Sequence, residues 1–324
     1  MNITDRKHLQ KIFTRGVLMA LDYKYTNNKV LGSKFYEEGQ LQKALLFFKR
    51  ANSYPDSKYD ADFLIDFGLL YEELNQYEEA LVRFNQAIEA DPEEARAFYC
   101  IGMLYDNVKE YKKAIDYYKR AIELDKYYEE AYFFLASCCD LVGDKEDAVK
   151  YYKKALEIDS EDFWCLVNLG SIYEEQDHNE TALEYFMKAV EVDQTHYMVL
   201  FNLGVVLNKM KNFKRATEYY RRAIMCNVKY PYSFLNLALI YKNEKNYTEA
   251  LRIIEDGISN NPRKSFLHYH KGCLLIRLNQ YDDAKRAFNI AVGLHPDFID
   301  YINEDEELSE FIENEKEWYE QLSM

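Results

Sequence analysis

Residues 163–196, FWCLVNLGSIYEEQDHNETALEYFMKAVEVDQTH, run without a break into residues 197–230, YMVLFNLGVVLNKMKNFKRATEYYRRAIMCNVKY. Laid over one another 34 residues apart, the two stretches match Asn168 with Asn202, Gly170 with Gly204, Ala182 with Ala216, Phe186 with Tyr220 and Ala189 with Ala223. Self-similarity at a fixed period of this length is the mark of a stacked-repeat architecture.

Working outward, alanines fall at 44, 80, 114, 148, 182, 216, 250 and 284. The interval is 34 from Ala80 onward and 36 before it, which places a two-residue insertion around Tyr54 to Tyr59. Only 11 Gly and 5 Pro punctuate 324 residues, so the composition favours a continuous helical array over two loop-joined modules. The 30 Tyr and 19 Phe supply ample bulk for a core.

Taking repeats from residues 25, 61, 95, 129, 163, 197, 231 and 265, position 8 reads Gly32, Gly68, Gly102, Ala136, Gly170, Gly204, Ala238 and Gly272. Position 24 reads Phe48, Phe84, Tyr118, Tyr152, Phe186, Tyr220, Ile254 and Phe288, and position 27 is Ala except for Gly257. This pattern, over residues 25–298, resembles the tetratricopeptide-repeat (TPR) family. The resemblance implies an all-α fold, a right-handed α-solenoid (superhelix) of antiparallel helix pairs, two helices to each of eight repeats. Physically, small residues at positions 8 and 20 let the helices of a pair approach closely, and the aromatic at position 24 fills the gap toward the next repeat. One repeat cannot bury that face alone, so stability comes from repeat on repeat. Proline ends repeats at Pro92, Pro262 and Pro296, while Asp125, Asp159 and Asp193 are expected to cap the following turn or helix.

The ends differ from the middle. Residues 1–24 carry a net charge of +3 and are expected to form an N-terminal capping helix segment. Residues 299–324 are expected to form an acidic C-terminal capping helix, with Leu308, Phe311, Ile312, Tyr319 and Leu322 on one stripe over the last repeat. The rival expectation there is a detachable acidic helix that folds back into the groove or binds a partner.

The formal net charge of −15 ranks nucleic acid and anionic membrane low as partners, because an acidic surface repels phosphate. No secretory signal or membrane-spanning run is legible, and six cysteines without CxxC spacing fit buried thiols, so a cytoplasmic protein is expected. No phosphate-cradling loop, dinucleotide fingerprint, zinc motif, nucleophile elbow or calcium loop occurs, so the chain is not expected to be an enzyme or to carry a cofactor or metal. His268 and His270, two apart on a helix, point in different directions and make a poor metal pair.

The partner expected is a protein or peptide. In TPR arrays the first helix of each repeat lines the concave face at positions 2, 5, 6, 9, 12 and 13, so the resemblance directs attention there. Position 6 holds Asn168, Asn202 and Asn236 in three consecutive repeats. A carboxamide pairs with both the C=O and the N–H of a peptide group whatever side chain the ligand carries. With first helices about 10 Å apart and an extended peptide rising ~3.3 Å per residue, one Asn would meet about every third ligand residue. The row is similar to the asparagine ladder in the TPR superhelix of the O-linked N-acetylglucosamine transferase, with three Asn and no transferase domain.

The two-carboxylate clamp of chaperone-binding TPR domains fits poorly. Its nearest frame here, Lys29, Ser33, Asp66, Arg96 and Cys100, contains an acid that repels a terminal carboxylate. Glu72 and Asp106 make the early part of the groove acidic, while Lys209, Lys242 and Arg277 make the late part basic. A ligand with positive and negative segments to match is therefore expected. Tyr99, Phe133, Trp164, Phe201, Tyr232 and Tyr269 at positions 2 and 5 are candidate apolar anchors. The leading expectation is a scaffold or adaptor holding an extended segment in its groove. The alternative is an accessory subunit that docks a folded enzyme or complex through its convex face or ends.

Overall fold

A computed structural model describes residues 23–322, so the basic start, residues 1–24, lies outside the described residues apart from Tyr23 and Lys24. Among the described residues there is no strand, and no helix is long and apolar enough to cross a membrane. The chain divides into two compact units, Met1–Ser160 and Glu161–Met324.

In the first unit α1 (23–37) and α2 (Leu41–Ala51) precede a single 3-10 turn, Pro55–Tyr59, which occupies the place of the expected insertion. Three helix pairs follow: α3 (Ala61–Glu73) with α4 (Tyr77–Ala90), α5 (Ala95–Asn107) with α6 (Tyr111–Leu124), and α7 (Glu129–Leu141) with α8 (Lys145–Ile158). The second unit holds four pairs: α9 (Phe163–Glu175) with α10 (Asn179–Val192), α11 (Tyr197–Lys209) with α12 (Phe213–Cys226), α13 (Pro231–Asn243) with α14 (Tyr247–Asn260), and α15 (Ser265–Arg277) with α16 (Tyr281–Leu294). Each unit is thus an all-α solenoid of antiparallel helix pairs. Every second helix packs on the first helix of the next pair in its unit, and first helices also touch one another, as α3 touches α5 and α9 touches α11.

Local chemistry sets the helix boundaries. The first helix of each pair ends on a left-handed residue: Asn75, Lys109, Gly143, Asp177, Lys211, Lys245 or Asn279, each with φ between 57° and 88°. The amide after it reaches back across the helix end, as Gln76 N–H does to the Tyr71 carbonyl (2.8 Å), so otherwise orphaned carbonyls are satisfied. Between pairs, Asp125 accepts from the Tyr127 amide (2.9 Å) and Asp193 from the Thr195 amide and hydroxyl (both 2.8 Å). These acids cap the turn rather than the helix. The bonds from Thr195 hold the Asp193 carboxyl below its usual range. Helix capping falls instead to residues immediately before a helix, such as Asp60, whose carboxylate accepts from Phe63 N–H (2.9 Å).

The core shows what the glycine at position 8 meets. It faces the ring at position 24 of its own pair. A Cβ added at Gly102 would lie 2.7 Å from the Tyr118 ring, and one at Gly170 2.6 Å from the Phe186 ring. Gly32, Gly68, Gly204 and Gly272 meet Phe48, Phe84, Tyr220 and Phe288 in the same way. The missing side chain makes room for the ring, which then touches the next pair, as Phe48 does Phe63 (5.5 Å between centroids) and Tyr118 does Phe134 (6.1 Å). These six aromatics and Tyr152, which holds the same position over Ala136, are all buried.

Residues 299–324 also differ from the single helix expected. Past α16 the chain breaks into α17 (Phe298–Glu304), a 3-10 turn (Glu306–Leu308), α18 (Ser309–Asn314) and α19 (Lys316–Leu322). Asp305 stops α17 in an extended conformation and accepts from Glu307 N–H (2.9 Å), which starts the tight turn. Leu308 and Phe311 are buried, and Ile312, Trp318, Tyr319 and Leu322 pack with them over the Phe288 end of the last pair.

Candidate functional site: the face of the first helices

In the first unit the acidic residues are in place but partly engaged. Glu72 accepts from Asn107 Nδ2 (3.1 Å), and burial together with neighbouring Glu73 pushes its carboxyl up. Asp106 is also pushed up by burial, beside the Cys138 thiol that bonds to it. Arg96 lies 2.8 Å from Asp66 and 3.7 Å from Asp62, while Lys29 lies 2.7 Å from Asp60. The two cations of the clamp frame are therefore matched by the chain's own carboxylates. Tyr99 and Phe133 serve the interior of the stack: Tyr99 packs on Tyr128 (5.0 Å) and Tyr118 (5.7 Å), and Phe133 on Phe134 (5.1 Å) and Tyr152 (5.8 Å).

In the second unit Asn168, Asn202 and Asn236 occupy one register on α9, α11 and α13, each half-buried. Asn236 Nδ2 donates to the Tyr220 hydroxyl (3.4 Å), a long bond that leaves its carboxamide oxygen and second N–H for other partners. Lys209 is less available than its sequence position suggests. It bridges Glu174 (2.7 Å) and Asp177 (3.1 Å), and both bonds raise its pKa. Lys242 and Arg277 converge on one acid, Glu307, at 2.9 and 3.0 Å. Their hydrogen bonds hold the Glu307 carboxyl below its usual range.

The aromatics divide in the same unit. Phe201 and Tyr269 pack inward on Tyr220 (5.7 Å) and Phe288 (6.0 Å), whereas Trp164 and Tyr232 are exposed at 46% and 48%. These two belong to a larger feature that sequence reasoning missed, a continuous band of rings along the starts of the first helices. Trp164 meets His196 (5.4 Å), His196 meets Tyr197 (5.8 Å), Tyr197 meets Tyr230 (5.1 Å), Tyr230 meets Tyr232 (5.5 Å) and Tyr232 stacks on Phe266 (5.2 Å, 9° between planes). The signal was present at position 2, which changes from Asp62, Arg96 and Glu130 to Trp164, Met198, Tyr232 and Phe266.

His270, beside Lys242, is pulled down to about 4 by burial and by the lysine's charge, so it is neutral at pH 7. Cys100, Cys138, Cys139, Cys165 and Cys273 are buried free thiols and Cys226 is an exposed one. Burial pushes Cys100 and Cys273 up to about 12, which makes them packing groups rather than nucleophiles at pH 7.

Comparison with known proteins agrees with this architecture. No curated protein matches the chain. Among solved structures it is similar to the C-terminal part of a TPR repeat-containing protein from Cytophaga hutchinsonii (16% identity, TM-score 0.62, covering 72% of this chain and 95% of that one). It is also similar to pilF of Pseudomonas aeruginosa (23%, TM-score 0.54, 69% and 98%). A third similar structure is YrrB, described as a TPR protein with an unusual peptide-binding site (26%, TM-score 0.50, 56% and 92%). Family patterns described as tetratricopeptide repeat match residues 93–161, 165–196, 199–225, 231–264 and 267–298, and one described as TPR repeat matches 68–107. The chain belongs to the tetratricopeptide-repeat family, whose repeats build protein-interaction scaffolds.

Proposed function

We propose that this scaffold holds an extended peptide segment of a partner protein along the first-helix face of its second unit. The observation that carries this reading is the pairing of two rows: the carboxamides of Asn168, Asn202 and Asn236 on α9, α11 and α13, and the ring band from Trp164 to Phe266 at the starts of the first helices. The carboxamides address the ligand's backbone and the rings its apolar side chains, so affinity depends weakly on ligand sequence. The likeness to YrrB supports a peptide as the ligand. Eight repeats over residues 25–298, closed by residues 299–324, is the organisation proposed for the scaffold. Glu72 and Asp106 on the first unit remain candidates for a basic stretch of the partner, and Lys242 and Arg277 for an acidic one.

A library of displayed 12-residue peptides selected on the full chain tests the reading. Selected peptides should bind the wild type and lose about tenfold or more in affinity, about 1.4 kcal/mol, in an Asn168→Ala, Asn202→Ala, Asn236→Ala variant with unchanged circular dichroism. Selection of no peptide, or peptides indifferent to both this variant and Trp164→Ala/Tyr232→Ala, would overturn it.

A further inference from the structure

The basic end of the first-helix face is covered by the chain itself. Between α17 and α18 the backbone makes one tight turn, Glu306–Leu308, headed by Asp305. Asp305 accepts a hydrogen bond from the Tyr269 hydroxyl (2.5 Å), and Glu307 sits between Lys242 Nζ (2.9 Å) and Arg277 (3.0 Å). Tyr269, Lys242 and Arg277 are positions 5, 12 and 13 of two successive repeats, the register proposed above for the ligand. One carboxylate is thus gripped by cations from two helices, in the place where an acidic ligand residue would lie.

The way this turn is held resembles a tethered ligand more than a rivet. Ile302 before it, Leu308 as its last residue and Phe311 after it are buried, so the turn is anchored by apolar contacts that do not involve the carboxylates. The Arg277 pair is open, with the side chains of Arg277 and Glu307 40% and 46% exposed, while Lys242 is more covered, and pairs in contact with water hold weakly. What maintains the contact is the short tether, which raises the local concentration of the carboxylate.

We propose that Lys242, Arg277 and Tyr269 form a carboxylate-binding subsite for an acidic peptide segment, and that Asp305 and Glu307 are its built-in competitor. The ligand that displaces them carries an acidic residue, which takes the place of Glu307 between Lys242 and Arg277. This rests on the reading that the first-helix face takes an extended peptide, and it adds the regulation of that face: the subsite is closed until a ligand outcompetes the turn.

The probe is a fluorescein-labelled peptide of the chain's own residues 303–312, NEDEELSEFI, titrated into the full chain by anisotropy. Asp305→Ser/Glu307→Ser removes both carboxylates and keeps Ile302, Leu308 and Phe311, with circular dichroism confirming the fold. This variant should bind the probe at least about tenfold more tightly than the wild type. The gain should vanish when Lys242→Ala and Arg277→Ala are added, and it should shrink as salt rises and screens the charges. Equal binding by the wild type and the Ser/Ser variant, or a gain that survives loss of Lys242 and Arg277, overturns the proposal. Peptides selected on the asparagine row are read separately, so Asn-dependent capture with no gain here overturns this subsite alone.

Discussion

Tyr118 and Tyr220 occupy the same position of two repeats, and both rings are fully buried over a glycine. Their hydroxyls have different surroundings. That of Tyr220 receives Asn236 Nδ2, while that of Tyr118 is buried with no hydrogen-bond partner among the described residues. An unsatisfied buried hydroxyl costs about 1–3 kcal/mol, and replacing it by hydrogen removes the cost without opening a cavity. Tyr118→Phe should therefore raise unfolding stability in urea by about 1 kcal/mol, whereas Tyr220→Phe should leave it unchanged or lower. A loss of stability in Tyr118→Phe would show that its hydroxyl is satisfied. The sequence reading placed an aromatic at both positions but could not tell them apart. The partner is a side chain on the following repeat, and the choice of Asn236 against Phe134 at that register reads as groove chemistry until the hydroxyl beneath it is seen.

At the scale of the element, the turn that ends each first helix shows what was legible and what was not. Gly39 and Gly143 stand where the backbone turns left-handed, and so do Lys109, Lys211 and Lys245, with φ of 61°, 59° and 60°. A residue with a Cβ pays about 1 kcal/mol or more there relative to glycine. The repeat overrides that preference because the turn must satisfy the carbonyls of a helix end whose next helix starts two residues later. Lys211→Gly should stabilise the chain by about 0.5–1 kcal/mol, since the Lys211 side chain is exposed. Urea unfolding with an unchanged m-value would check it, and a destabilised variant would mean that left-handed strain is absent at this turn. The C-terminal segment was harder to read for a related reason. Its apolar stripe was visible, but the break at Asp305 depends on where Tyr269, Lys242 and Arg277 lie in space, and those partners stand 28 to 63 residues earlier in the chain. The ring band was missed likewise: His196, Tyr197 and Tyr230 straddle repeat boundaries, and counting positions inside one repeat separates residues that touch.

For the whole molecule, the decisive property is that among the described residues the packing within each unit joins a helix mainly to near neighbours in sequence. Stability in such a stack is a sum of repeat and interface contributions, and cooperativity holds only as far as neighbouring interfaces carry it. The chain contains a natural reporter for this, because both of its tryptophans, Trp164 and Trp318, lie in the second unit. A lesion in the first unit is made at Gly102, where a side chain would start 2.7 Å from the Tyr118 ring. Gly102→Val overpacks that contact and should cost about 2–3 kcal/mol. Followed in urea, the far-ultraviolet circular dichroism of this variant should lose amplitude well before the wild-type midpoint, while tryptophan emission keeps close to its wild-type midpoint. Both signals moving down together would mean that the two units unfold as one cooperative body, and the stack would then transmit a strain at Gly102 to the tryptophans of the proposed binding face. Separation of the two signals places the loss where the overpacked ring is, and makes each unit free to be loosened, or tightened by a ligand, without the other.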